Sequence, residues 1–63
     1  MNQVKKARIN AGLNQAQLAE RAGTSQAYIS EIESGKTKPS LGMLEAIAEA
    51  LGCKLTILLE KKK

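Results

Sequence analysis

The chain has 63 residues, with ten Lys or Arg, six Glu, no His, no Asp and a single cysteine, Cys53. This length accommodates one small domain, residues 1–63, with one hydrophobic core. A lone cysteine excludes an internal disulfide, and the absence of histidine argues against a zinc site and against Ser-His or Cys-His catalysis. We therefore expect no enzyme activity, no cofactor, no metal and no small-molecule substrate.

The distribution of charge is more informative than the net charge of +4. Lys61, Lys62 and Lys63 supply three of those charges, so residues 1–60 carry only +1. A basic balance favours a polyanionic partner, but only weakly here. No apolar run is long enough to span a bilayer and no signal segment opens the chain, which predicts a cytoplasmic protein without membrane contact.

The first two helices are predicted over residues 3–11 and 15–22. Each is followed by a glycine, a residue that readily adopts the left-handed conformation just past a helix end. The first has apolar residues at helical spacing (Val4, Ala7, Ala11) and Asn2 as its N-cap. The second begins after Asn14, which with Gln17 forms a capping-box pattern.

Two further helices are predicted over residues 26–34 and 41–51. Ser25 and Ser40 are their N-caps. Ile29 and Ile32 face the core from the third helix. The fourth presents one continuous apolar face made of Leu41, Leu44, Ile47, Ala48 and Leu51. The predicted fold class is therefore all-α.

Residues 54–59 have a different pattern. One set of alternate positions holds Cys53, Leu55, Ile57 and Leu59, and the other holds Lys54, Thr56 and Leu58, a period of two that favours a short strand over a fifth helix. Because no other segment is predicted as a strand, its expected partner is the same strand of a second subunit. Leu55, Ile57 and Leu59 are the predicted dimer contacts.

Only three residues separate the second and third helices, so the two must cross steeply. Ala19 and Gly23 allow close approach, and Ile29 and Ile32 anchor the third helix. Residues 4–52 resemble the phage repressor and Cro (XRE) family of helix-turn-helix DNA-binding proteins. The resemblance rests on Arg8, Gly12-Leu13-Asn14-Gln15, Leu18-Ala19, Gly23, Ser25-Gln26, Tyr28-Ile29-Ser30, Ile32-Glu33, Gly35 and Pro39-Ser40.

The resemblance implies that the third helix reads base edges in the major groove. Gln26 has the chemistry for bidentate pairing with adenine, and Ala27 for contact with a thymine methyl. Glu31 can accept from cytosine N4, and Ser30 lies one turn after Gln26.

The same resemblance implies DNA phosphate contacts on either side of that helix. Gln15 opens the second helix, where free backbone N–H groups attract anions, and it is also expected to brace Gln26. Phosphate contacts are further predicted at Ser25, Tyr28 and the loop of Lys36, Thr37 and Lys38.

The resemblance also implies that Arg8 and Glu33 form a partly buried ion pair, which we expect to support the scaffold. The resulting hypothesis is a dimeric repressor that reads a pseudo-palindromic operator on double-stranded DNA in a bacterial or phage-infected cell. The tail also resembles those of antitoxins, which leaves an antitoxin that binds a toxin protein as the alternative.

Overall fold

The computed structural model describes residues 3–58, apart from the side chain of residue 57. It contains the helices α1 (Gln3–Asn10), α2 (Gln15–Ala22), α3 (Gln26–Ser34), α4 (Leu41–Leu51) and α5 (Leu55–Leu58). The first four agree with the predicted ranges to within one residue. α2 packs against α3 and α4, and α1 contacts α3, α4 and α5.

The helix ends follow the side-chain signals in the sequence. Asn14 Oδ1 accepts from the Gln17 N–H at 2.7 Å, and the Asn14 N–H donates to Gln17 Oε1 at 2.9 Å, which completes the capping box. Ser25 and Ser40 accept from the N–H groups of Tyr28 and Met43, each at 3.1 Å. The predicted Asn2 cap lies outside the described residues.

One apolar core lies where the helices meet. Leu18, Ile29 and Ile47 have no solvent exposure, and Ile32 is 2% exposed. Burying side chains of this size stabilises a fold by about 1.5–3 kcal/mol each. Around them pack Val4, Ala19, Ala48 and Leu58.

The strand favoured for residues 54–59 is wrong over Leu55–Leu58, which form one helical turn. Leu55 and Leu58 are three residues apart, so a helical turn directs both toward the core, where Leu58 is 8% exposed. Of the other predicted dimer contacts, Leu59 and the Ile57 side chain lie outside the described residues.

The predicted apolar face of α4 is correct except at its first residue. Leu41 is 57% exposed, whereas Ile47 and Ala48 are buried. Leu41 is the first residue of α4, directly after the Ser40 cap. Cys53 is half-buried against the core.

Candidate nucleic-acid interface

The exposed face of α3 is a polar stripe at helical spacing. Ile29 and Ile32 are buried on the opposite side and fix how α3 is rotated on the core. The same rotation leaves the four candidate base readers facing solvent, because positions three and four residues apart share a helix face. The stripe consists of Gln26, Ala27, Ser30 and Glu31.

Ser25 and Tyr28 stand at the start of this stripe and have structural partners of their own. Ser25 Oγ accepts the Tyr28 N–H at 3.1 Å, so the Ser25 hydroxyl retains a hydrogen for an outside acceptor. Tyr28 is half-buried and packs against the core. Ser25 can therefore cap the helix and contact a phosphate at once.

Gln15 is the first residue of α2 and is half-buried. The capping box occupies the Gln17 N–H, and the Leu18 N–H donates to the Asn14 carbonyl at 3.0 Å. The N–H groups of Gln15 and Ala16 precede these bonds and are left for an outside acceptor. A helix start of this kind attracts anions through its free donors and positive dipole end.

Arg8 and Glu33 are brought together from α1 and α3. Arg8 Nε donates to Glu33 Oε2 at 2.6 Å and Arg8 Nη2 donates to Glu33 Oε1 at 3.1 Å, a two-bond arrangement. The two side chains are 11% and 4% exposed. Arg8 Nη1 also donates to the Leu13 carbonyl at 2.8 Å, which ties the α1–α2 loop to the same pair.

The expected pairing of Gln15 with Gln26 is not what the structure has. Gln15 Nε2 donates instead to Glu33 Oε1 at 3.1 Å. The carboxylate of Glu33 therefore joins α1, α2 and α3. Sequence reasoning missed this third bond, because residues 15 and 33 are far apart in the chain and only the folded arrangement brings them within reach.

Burial of Glu33 raises the pKa of its carboxyl group. Hydrogen bonds from Arg8 and Gln15 and the positive charges of Arg8 and Lys5 act in the opposite direction and outweigh it. The pKa of Glu33 is therefore lowered from its ordinary value of 4.5. The network contains an ionised carboxylate at neutral pH.

The loop after α3 is anchored on one carbonyl oxygen. Gly35 turns the chain with φ of 83°, a conformation that favours glycine. The Lys36 and Thr37 N–H groups then donate to the Glu31 carbonyl at 2.9 and 3.3 Å. Because those backbone donors are occupied, the loop offers phosphate the side chains of Lys36, Thr37 and Lys38. Lys36 and Lys38 are exposed and Thr37 is half-buried.

No cluster of three or more potential metal-ligating side chains occurs among residues 3–58. None of the helices described there has both the length and the apolar character that crossing a membrane requires.

Two packed helices joined by a three-residue turn, with the second presenting an exposed polar face, define a helix-turn-helix domain. Residues 4–58 match the family described as Helix-turn-helix (HTH_3). The chain belongs to this family, and the resemblance to the phage repressor type is confirmed.

The chain is similar to several regulators of phages and bacteria. It is 43% identical over 53 residues to the immunity repressor protein of Bacillus phage phi105, covering 84% of this chain and 37% of the repressor. It is 35% identical over 60 residues to the transcriptional regulator SinR of Bacillus subtilis, covering 94% of this chain and 54% of SinR. It is 39% identical over 57 residues to the uncharacterized regulator YqaF of Bacillus subtilis, covering 90% of this chain and 75% of YqaF. The chain thus spans little more than a third of the phage repressor.

Proposed function

We propose that this chain is a sequence-specific, double-stranded-DNA-binding transcriptional regulator that reads the major groove with α3. The observation that carries the proposal is the exposed stripe of α3, held by a buried opposite face. The relatives' names, a phage immunity repressor and transcriptional regulators, agree with this function. The family membership supports a DNA partner.

In the proposed complex, base edges are read by side chains of the stripe. α3 has nine residues. An α-helix with its side chains is about 10–12 Å across, which matches the major groove, about 12 Å wide. Gln26 pairs with adenine, Ala27 contacts a thymine methyl, and Glu31 accepts from cytosine N4. Ser30 lies between these positions and offers a hydroxyl to a base edge.

Phosphate contacts hold the stripe in register. Gln15 and the start of α2 contact one stretch of backbone, with Ser25 and Tyr28 beside it. Lys36, Thr37 and Lys38 contact the backbone from the α3–α4 loop. These contacts carry no base information, but they supply much of the affinity and its dependence on salt.

A second copy of the chain completes the proposed reader. Two α3 helices would read half-sites about 34 Å apart on a pseudo-palindromic operator. Sedimentation of the intact chain with and without operator duplex tests this: two chains per duplex are expected. One chain bound to a full operator would contradict the dimer.

The antitoxin alternative rested on a strand-like tail, and the helical turn at Leu55–Leu58 removes that support.

Gln26→Ala tests base reading. Selection of bound duplexes from a randomised library should give a preferred site for the unmodified chain. The variant should lose discrimination at one base position by about 1–3 kcal/mol. Uniform weakening on all sequences would show that Gln26 does not read a base. The exposed Glu49→Ala variant on α4 is the control and should keep the site preference.

Lys36→Ala combined with Lys38→Ala tests the phosphate contacts. If a dimer binds, four charges leave the interface, and the slope of log K against log salt should become shallower by about 3–4. Lys6→Ala combined with Lys54→Ala removes the same charge from other exposed positions and should leave the slope unchanged. If the two double variants gave equal slopes of log K against log salt, Lys36 and Lys38 would not be the phosphate contacts.

A further inference from the structure

We propose that Glu33 is a positioning residue of the DNA interface, because it orients the amide of Gln15 before DNA arrives. This inference rests on the proposed function, and it assigns to the Arg8–Glu33 pair a role beyond supporting the scaffold. The juxtaposition that carries it is one nearly buried carboxylate shared between a structural arginine on α1 and the first side chain of α2.

The chemistry of the three groups decides which way the Gln15 amide points. An ionised carboxylate only accepts hydrogen bonds, so the group of Gln15 facing Glu33 must be the nitrogen. Gln15 Nε2 lies 3.1 Å from Glu33 Oε1. The carbonyl oxygen of Gln15 and its second amide hydrogen therefore remain available for DNA, one as an acceptor and one as a donor.

Arg8 holds the Glu33 carboxylate where it can accept the hydrogen bond from the Gln15 amide. Its two bonds to Glu33 fix both carboxylate oxygens, and the side chain of Glu33 is only 4% exposed. A rigid acceptor restricts the rotamers of Gln15, and a side chain that is already ordered loses less conformational entropy when it binds. Glutamine is among the side chains with most rotamer freedom to lose.

A purely structural interpretation makes a different prediction. In that case Gln15 merely supplies another hydrogen bond to a nearly buried carboxylate, and removing the carboxylate would affect DNA binding only through general loss of structure. The two interpretations predict different DNA affinities when the carboxylate acceptor is removed from a chain that stays folded. They also differ in the effect expected when the same change is made in a chain that carries Gln15→Ala.

Arg8→Met combined with Glu33→Met removes the acceptor without leaving an unpaired charge. Replacing both partners of a buried ion pair by apolar residues of similar volume is often neutral or stabilising. The selected operator duplex, labelled for fluorescence anisotropy, is the probe. We expect the double variant to bind about five- to tenfold more weakly, the order of effect of freeing one glutamine.

The same double change in a Gln15→Ala background is the decisive comparison. If Glu33 acts through Gln15, Gln15→Ala alone weakens binding by at least that factor, because it also removes the DNA contact of the side chain, and the triple variant loses nothing further. A displaced α1–α2 loop, which Arg8 also holds at Leu13, would weaken binding in both backgrounds. Additive losses would overturn the proposal. If the unmodified chain selects no duplex at all, the proposed function fails instead.

A measurement on the unmodified chain covers the case in which the double variant does not fold. Relaxation of side-chain amide nitrogens should show the Gln15 amide as rigid as the backbone, whereas the amide of exposed Gln26 is mobile. Equal mobility of the two amides in the free protein would overturn the inference.

Discussion

Arg8→Met should destabilise the domain far more than a surface arginine change. In the variant, Glu33 keeps its hydrogen bond from Gln15 and the charge of nearby Lys5 but loses both bonds from Arg8. Its side chain is 4% exposed, so water cannot replace the guanidinium without local opening. Leaving one charge of a buried pair unpartnered costs about 3–5 kcal/mol.

That cost is large for a chain of this size. At about 0.05–0.15 kcal/mol per residue, 63 residues give a free energy of unfolding of roughly 3–9 kcal/mol. Urea denaturation followed by circular dichroism measures the loss, provided that the denaturant slope is unchanged. Arg21→Met, at an exposed position on α2, is the matched control and should change stability by less than about 0.5 kcal/mol.

The double variant with Glu33→Met completes the test of this reasoning. It should recover most of the stability lost in Arg8→Met, because no unpaired charge remains. If Arg8→Met alone costs below about 1 kcal/mol, the pair behaves as a solvent-screened surface pair. In that case the argument from burial is wrong.

Other consequences follow from the same structure. Because the pKa of Glu33 is lowered in the folded protein, its ionised carboxylate stabilises the fold fully above about pH 4.5, and this contribution is lost as the pH falls through the folded pKa. The free energy of unfolding should therefore decline less on acidification in the Arg8→Met/Glu33→Met variant than in the unmodified chain. Equal declines would contradict the assignment. Leu58→Ala should cost about 2–3 kcal/mol in urea denaturation because it empties a core position, whereas a cost under about 1 kcal/mol would mean that α5 does not pack as described. Gly42→Ala should raise stability by about 0.5 kcal/mol, because Gly42 lies within α4 and an added Cβ would meet Ser40 Oγ at 4.0 Å, an ordinary van der Waals distance. Gly23→Ala, at φ of 76°, should lower stability by about 1–2 kcal/mol, and the same sign for both changes would refute the backbone argument.

Local signals were sufficient to predict most of the helical architecture. Asn14 with Gln17, Ser25 and Ser40 each satisfy backbone donors within three residues, and such short-range chemistry can be read without knowing the fold. The positions of Ile29 and Ile32 also predicted which face of α3 is buried. The exposed stripe of base-reading candidates follows from that burial by helical geometry alone.

Two features depend on contacts between residues far apart in the sequence, and only the tertiary structure decides them: the bond from Gln15 to Glu33 and the conformation of the tail. An ion pair of Arg8 with Glu33 was expected from a family resemblance, but the further bond to Glu33 from Gln15 depends on how α2 lies beside α3. The tail shows the same limit. Its alternation predicted a strand, yet Leu55 and Leu58 pack on a core supplied by other helices, and that burial outweighs the local pattern. A period of two in a segment this short is a weak local preference, while contacts with a core form only once the whole chain has folded.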